Sequence, residues 1–206
     1  DLIIKWSLDI RSDRIVPLGS VHPECDDVRE AVRKVARAGL VGIKLHALSQ
    51  DFTLDEERMW PIYETVAECG LMIVFHAGRD IAFPPEDDRA DPQRILVVHE
   101  AFPEIPIVAG HSGGWKTWDN VRRTLVGTDV YIETSYSFEM GEDEDVLAVL
   151  REHPVERVMF GTDSPWCDQL AARERVESVF TEPDERALIM GGNGQRLLES
   201  LQPQVP

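Results

Sequence analysis

The sequence lacks the features that would place it in several specialised classes of protein. No apolar run approaches the roughly 18 residues of a membrane span, and no basic segment precedes an apolar stretch as in a signal peptide. The 3 cysteines, Cys25, Cys69 and Cys167, are odd in number and scattered, which favours reduced thiols over a disulfide framework. We therefore expect a cytoplasmic protein.

Positive charge is also scarce. The chain has 21 Lys and Arg against 38 Asp and Glu, for a formal net charge of −17. A nucleic-acid partner is not expected, because no basic stripe is present to release phosphate counterions. The acids are spread over predicted helix faces such as residues 142–145, so we attribute the charge to solubility. We expect a small-molecule substrate and no membrane partner, and we leave a homo-oligomer open.

Apolar segments alternate with amphipathic ones along the chain. The predicted strands are residues 14–21, 41–45, 71–75, 105–109, 130–132 and 158–161. The predicted helices are residues 26–38, 55–69, 92–101, 116–125, 142–152, 171–180 and 184–198. Repeats of roughly 30 residues are typical of βαβ units, and strands that are apolar throughout indicate a parallel sheet covered on both faces.

Two architectures fit this alternation, an open doubly wound sheet and a (β/α)₈ barrel. The sequence has no glycine-rich dinucleotide fingerprint and no P-loop, whereas polar residues follow several different strands, as they do in a barrel. We therefore predict an α/β fold of the (β/α)₈ TIM-barrel type with six βα units seen, incomplete at its N-terminus. A single domain is expected over residues 1–201, followed by a tail over residues 202–206.

Three of the predicted strands end in residues that bind metals in other proteins, His76, His111 and Asp163. Each has a structural alternative. His76 suits a hydrogen-bonded core histidine, His111 suits a tight turn between glycines, and Asp163 suits a helix N-cap. Three such residues at strand ends indicate a metal site more specifically than any one of them, because a barrel gathers its strand ends at one mouth.

Lys44 and His46 lie two residues apart on a predicted strand, so their side chains point to the same side. A lysine inside a barrel requires an anionic partner or a functional role, and Glu133 is a candidate partner. His46 lies nearer the end of the strand and is predicted to contact substrate.

Further candidates lie in the loops after the strands. Arg79 suits a substrate carboxylate, although an exposed loop arginine is the alternative. Trp115 and Trp166 would wall an apolar pocket or pack against its rim. His99 and His153 fall on predicted helices and are expected to be solvated.

Several motifs together resemble the amidohydrolase superfamily, and in particular its amidohydrolase-2 branch of TIM-barrel metal-dependent hydrolases. That branch also contains enzymes similar to aminocarboxymuconate semialdehyde decarboxylase. The motifs are residues 44–46 (KLH), 75–78 (FHAG), 110–114 (GHSGG), 160–165 (FGTDSP) and 190–198 (MGGNGQRLL). They run along essentially the whole chain.

The resemblance implies a role for each strand-end residue. His76 corresponds to a metal ligand on the fifth strand, and His111 to a sixth-strand histidine that binds a second metal or acts as an acid or base. Asp163 corresponds to the eighth-strand aspartate that binds metal and takes a proton from the attacking water. Lys44 lies on the fourth strand, where some members carry a carboxylated lysine. The implied cofactor is a divalent metal, with Zn²⁺ as the first choice.

The chain departs from the family in one respect. The first strand of the family carries a His-x-His pair, and none of the 6 histidines here is paired at that spacing. The hypothesis is that two βα units, roughly 60 residues, precede Asp1. The predicted activity is hydrolysis of an amide, ester or lactone in a small carboxylated molecule. Non-oxidative decarboxylation is the first alternative, and a catalytically inactive barrel that serves as a binding or scaffold protein is the second.

Overall fold

A computed structural model describes residues 2–10, 12, 14–138 and 144–201 of the protein. Its strands are β1 Gly42–Leu45, β2 Met72–Phe75, β3 Ile107–Ala109, β4 Tyr131–Glu133 and β5 Val158–Met159. Its helices are α1 Leu2–Asp9, α2 Val28–Arg37, α3 Trp60–Glu68, α4 Pro92–Ala101, α5 Trp118–Thr124, α6 Glu144–Glu152, α7 Gln169–Val179, α8 Pro183–Ala187 and α9 Asn193–Ser200. None of these helices is long and apolar enough to cross a membrane.

The five strands form one parallel sheet in the order β1-β2-β3-β4-β5, so each strand pairs with the next one along the chain. A doubly wound sheet would instead reverse its strand order at a switch point. Sequential parallel pairing through helical connections is the arrangement of a (β/α) barrel, and the structure is a partial barrel of this type. The predicted strands from residue 41 onward are confirmed in kind and order.

The predicted first strand over residues 14–21 is wrong except at one residue. Gly19 forms a single parallel bridge to Ile43, in which its N–H donates to Gly42 O at 2.9 Å and its carbonyl accepts from Lys44 N at 2.8 Å. Ile15 and Val16 before it are exposed. Pro17, which has no N–H to give to a ladder, separates Val16 from the bridge.

Two other predictions fall partly or wholly outside the described residues. The predicted helix over residues 142–152 is described from Glu144, as α6, and residues 142 and 143 of the predicted acidic face are not described. The predicted tail over residues 202–206 also lies outside the described part of the chain.

The side chains of the sheet alternate between two apolar clusters, as the pleat of a strand requires. One face joins the main core with the helices, and its strand residues are Ile43, Leu45, Ile73, Phe75, Ile107, Ala109, Ile132 and Val158. The other face contributes Met72 and Val108 to a smaller cluster with Leu197 of α9. Lys44 lies between Ile43 and Leu45 in sequence, so its side chain is on the second face, which is the interior of the barrel.

Three aspartates fix helix starts in the manner expected of N-caps. Asp27 accepts from Glu30 N at 2.9 Å, and Asp91 accepts from Gln93 N at 2.8 Å with Pro92 as the first residue of α4. Asp168 accepts from both Leu170 N and Ala171 N at the start of α7. The helix after Asp163 is therefore capped by Asp168 and not by Asp163.

Candidate active site

Histidines follow the first three strands of the sheet. His46 comes directly after β1, His76 directly after β2, and His111 two residues after the end of β3. The carboxyl ends of parallel strands meet at one edge, so the register of the sheet brings these imidazoles together. Nε2 of His111 lies 3.1 Å from Nδ1 of His76, and the rings of His46 and His76 stack with centroids 4.0 Å apart.

One group of metal-type donors is present among the described residues, and it consists of His46, His76 and Asp80. Oδ2 of Asp80 lies 3.2 Å from Nε2 of His46 and 4.0 Å from Nε2 of His76. The three donor atoms all lie within 4.8 Å of one another. Two imidazole nitrogens and one carboxylate oxygen at this spacing suit a divalent cation such as Zn²⁺, Fe²⁺ or Mn²⁺.

The two stacked histidines are held in their neutral forms. Burial is the main cause that lowers the pKa of His76 to about 2, and the neighbouring His111 and His46 lower it further. Burial also lowers the pKa of His46, although Asp80 opposes this effect. Neutral imidazole is the form that binds a metal, so these side chains are available as ligands at neutral pH.

Backbone and side-chain contacts hold the strand-end histidines in place. The N–H of His46 donates to Oε1 of Gln50 at 2.8 Å, and Gln50 in turn donates to Val21 O at 3.1 Å. Nε2 of His76 lies 3.0 Å from the carbonyl of Arg79. A carbonyl only accepts, so in this arrangement Nε2 of His76 carries the proton and its Nδ1 offers a lone pair to His111, and a metal bound through His76 would replace one of these two contacts.

The interior of the barrel below the histidines holds a lysine and a carboxylate. Burial lowers the pKa of Lys44, while the charges of Glu133 and Asp163 act in the opposite direction. The predicted proximity of Lys44 to Glu133 is therefore present in the structure. A Cβ placed on Gly110 would lie 3.1 Å from Oε1 of Glu133 and 3.9 Å from Nζ of Lys44, so both groups face this glycine.

Three of the predicted site residues lie at the surface. Asp163 is exposed, and the described residues give its carboxylate no place in the donor group of His46, His76 and Asp80. The side chain of Arg79 is exposed, and its backbone carbonyl is what contacts His76. Trp166 is 76% exposed. The roles assigned to these residues stay predictions.

Trp115 occupies a more enclosed position than Trp166. Its backbone bridges to Gly78, which joins the loop after β3 to the loop after β2. Its indole N–H is buried and has no hydrogen-bond partner among the described residues.

Sequence reasoning missed two contributors to this region. Asp80 has no predicted role in the sequence analysis, although it lies only four residues from His76 and its carboxylate returns to the same donor group. Ser135 was not considered, and the structure places both its hydroxyl and its carbonyl against Nδ1 of His111. Its signal was the polar stretch at residues 133–135 and 137, which follows the apolar part of β4.

Comparison with known proteins gives a consistent result. A model of a family described as "Amidohydrolase" matches residues 3–199. A curated relative, the 2-amino-3-carboxymuconate-6-semialdehyde decarboxylase of Dictyostelium discoideum, is 24% identical over 220 residues that cover 90% of this chain and 61% of the relative. The chain thus spans less than two thirds of that relative's length.

Solved structures share the fold. An uncharacterised TIM-barrel protein from Bordetella bronchiseptica is similar with a TM-score of 0.75 at 20% identity, covering 95% of this chain and 70% of the other. The 5-carboxyvanillate decarboxylase of Sphingomonas paucimobilis has a TM-score of 0.70 at 19% identity, covering 98% of this chain and 71% of the other. At these identities the likeness concerns the barrel fold alone.

Proposed function

The chain belongs to the amidohydrolase family, and from this we propose that it is a metal-dependent, non-oxidative decarboxylase of a small aromatic or muconate-type carboxylic acid. The observation that carries the proposal is the donor group of His46, His76 and Asp80 with His111 in hydrogen-bond contact with His76. Decarboxylation as the reaction is supported by the names of one curated relative, a 2-amino-3-carboxymuconate-6-semialdehyde decarboxylase, and one structural neighbour, a 5-carboxyvanillate decarboxylase.

Geometry also favours decarboxylation over the hydrolysis predicted from the sequence. Hydrolysis requires a base beside the water that attacks the substrate, and Asp163, the residue predicted for that task, is not part of the donor group found among the described residues. Decarboxylation requires a site that stabilises the negative charge left on carbon, together with a group that delivers a proton to that carbon. The buried His111 next to the donor group meets the second requirement.

The donor group fits the cofactor that the family implies. His46, His76 and Asp80 would hold a divalent metal. When bound, the metal supplies Lewis-acid stabilisation of negative charge that develops on substrate oxygen atoms. The sequence expectation of Zn²⁺ in particular stays a prediction, since Fe²⁺ and Mn²⁺ accept the same donor types.

The protein's own residues would then divide the remaining work. The carbon–carboxylate bond breaks to release carbon dioxide, and the electron pair left on the substrate takes up one proton. We assign to His111 the role of holding that proton at Nε2, which lies 3.1 Å from Nδ1 of His76. Lys44 and Arg79 are the nearby cations for orienting the substrate's carboxylate, Lys44 from inside the barrel and Arg79 from its rim.

The test is a panel of hydroxybenzoates, carboxylated vanillates and carboxymuconates offered to the metal-loaded protein. Carbon dioxide released in equal amount to a product that lacks only the carboxylate would support the proposal. A product that has instead gained the elements of water, with no carbon dioxide, would establish hydrolysis. Binding of panel members without turnover by metal-loaded protein would favour the non-catalytic alternative. A His111→Asn variant is the matched control for background decarboxylation, because it keeps the metal donors intact.

A further inference from the structure

Three polar residues lie at the carboxyl end of β4 and beyond it. Glu133 ends β4, and Ser135 and Ser137 follow it in a turn in which Tyr136 has a φ of 51°. Each of them contacts the turn that carries His111.

Glu133 is a carboxylate fixed by three donors. Its Oε1 accepts from His111 N at 3.0 Å and from Ser135 Oγ at 2.7 Å, and its Oε2 accepts from Ser135 N at 2.8 Å. Hydrogen bonds to an ionised acceptor are stronger than those between neutral groups. The carboxylate therefore binds the backbone of His111 directly and also fixes the serine that contacts the His111 ring.

Ser135 links this carboxylate to the imidazole. Its Oγ lies 3.1 Å and its carbonyl oxygen 3.0 Å from Nδ1 of His111, while the other ring nitrogen lies 3.1 Å from His76. Both nitrogens of the His111 ring thus have fixed neighbours, and the ring has one orientation that satisfies them. Glu133 acts on that orientation through Ser135.

The turn that carries His111 needs such support. His111 and Ser112 both have left-handed backbone conformations, with φ of 56° and 53°, which residues other than glycine rarely adopt. Such conformations persist where the surroundings over-determine them. Here Glu133 binds the N–H of His111, Ser137 Oγ lies 2.7 Å from Ser112 Oγ, and Trp118 donates to the carbonyl of His111 at 3.2 Å.

From these contacts we propose that Glu133 is a positioning residue for His111, which it holds in catalytic orientation directly and through Ser135. Its effect on turnover rests on the proposed decarboxylation, whereas its effect on the orientation of the imidazole does not. A competing role for Glu133 is that of counter-charge to Lys44, which lies in the same interior space. The two roles predict different changes in the NMR signals of the His111 ring when Glu133, Ser135 or Lys44 is substituted.

The experiment uses Glu133→Gln, Ser135→Ala and Lys44→Met variants of the 206-residue protein. Glutamine keeps the length of the side chain but replaces one acceptor oxygen with an N–H₂ group, which cannot accept from His111 N or Ser135 N. Alanine at position 135 removes only the hydroxyl link. Lys44→Met removes the competing partner. Tyr63→Phe is the control for a lost buried hydrogen bond, because Tyr63 OH donates to Leu54 O at 2.7 Å in the core away from the histidines.

The first measurement is the long-range ¹H–¹⁵N NMR spectrum of the histidine rings in metal-free protein, which reports the tautomer and hydrogen bonding of each imidazole. We expect Glu133→Gln and Ser135→Ala to shift or broaden the His111 signals while those of His153 stay in place. Lys44→Met and Tyr63→Phe should leave the His111 signals unchanged. This measurement needs no substrate, so it remains decisive if the proposed function fails.

The second measurement is steady-state kinetics on a substrate found in the panel. We expect kcat to fall by about 10-fold to 100-fold in Glu133→Gln with little change in KM, the loss typical of misplacing a catalytic group. Unchanged His111 signals in folded Glu133→Gln would overturn the proposal, as would the same change in Lys44→Met. If Glu133→Gln does not fold, Ser135→Ala decides alone, and unchanged His111 signals in that variant would overturn the link through Ser135.

Discussion

The ring of His46 lies flat against the ring of His76, with an angle of 7° between their planes. Two imidazoles in this arrangement cannot both be charged without repulsion, and the charge on either one lowers the pKa of the other. Because both are also partly or fully buried, the pair stays neutral and presents lone pairs. The histidine pair therefore has two properties, the stacking of one ring on the other and the ring nitrogens that can bind a metal. A substitution can remove the second property and keep the first.

His46→Phe should keep the stacking on His76 and remove one metal ligand. Phenylalanine keeps a ring to stack on His76 but offers no nitrogen to a metal, so we expect the affinity for Zn²⁺ or Mn²⁺ to fall by more than about 10-fold. Isothermal titration calorimetry on protein first stripped with a chelator measures the change. His99→Gln on α4 is the control, since it removes a histidine outside the donor group. Equal affinities in the wild type and His46→Phe would exclude His46 as a ligand.

Lys44→Met should make the protein more stable and less active. Burial lowers the pKa of Lys44 despite the opposing charges of Glu133 and Asp163. The desolvation cost of the ammonium therefore exceeds the electrostatic stabilisation that these two carboxylates provide. An unbranched apolar side chain removes that cost, and three hydrogen bonds still hold the Glu133 carboxylate without Lys44, so we expect the free energy of unfolding to rise by about 1 kcal/mol. Urea unfolding at neutral pH measures this. A decrease in stability would mean that Lys44 contributes net stabilisation through its charge.

Gly161→Ala should disturb the carboxylate of Glu133. A Cβ at this position would overlap Oε2 of Glu133 and lie 2.9 Å from its Cδ. Because three donors fix that carboxylate, it cannot move without losing hydrogen bonds, and we expect a loss of about 1 to 3 kcal/mol in the free energy of unfolding. Thermal unfolding followed by circular dichroism checks this. Gly194→Ala in α9 is the matched control, where the nearest atom, Met159 Sδ, lies 3.9 Å away and the change should be neutral or stabilising.

His153 should make folding stability depend on pH. Nε2 of this buried histidine donates to Val130 O at 2.9 Å, its Nδ1 has no partner among the described residues, and burial lowers its pKa from the ordinary value of 6.5. As pH falls through that ordinary value, the unfolded chain takes up a proton that the folded chain does not, so the free energy of unfolding decreases.

His153→Gln tests this, because its amide keeps a donor for Val130 O and does not titrate. Urea unfolding at about pH 7.5 and about pH 5.5 should show a smaller loss of stability in the variant than in the wild type. The same pH dependence in the wild type and His153→Gln would assign the effect to other groups.

The sequence predicted the sheet from residue 41 onward because its strands are apolar runs bounded by helix stop and start signals. The convergence of His76 and His111 is predicted by the same pattern, since both lie within two residues of the end of such runs. The segment over residues 14–21 has the composition of a strand, but it pairs at Gly19 alone. The composition of a segment indicates which secondary structure it prefers, whereas strand pairing depends on where the neighbouring strands lie.

The predicted solvation of His153 was wrong for a related reason. Its position at the end of a helix was read as a surface position, but α6 turns this residue toward the start of β4, where Val130 O needs a donor. The contact between His46 and Asp80 was equally hidden, because it joins residues 34 apart through a loop with no regular period. Contacts of this kind depend on loop paths, which periodicity does not report.

The single bridge at Gly19 has a consequence for amide exchange. On the edge of β1 that faces away from β2, the N–H of Lys44 donates to the carbonyl of Gly19, and the N–H of His46 donates to the side chain of Gln50. When that edge opens locally, both amides exchange with solvent while the core strands remain closed. Deuterium uptake at the amides of Lys44 and His46 would therefore exceed uptake at the amides of β2. The segment with these two candidate site residues, β1 and the residue after it, would open before the rest of the sheet.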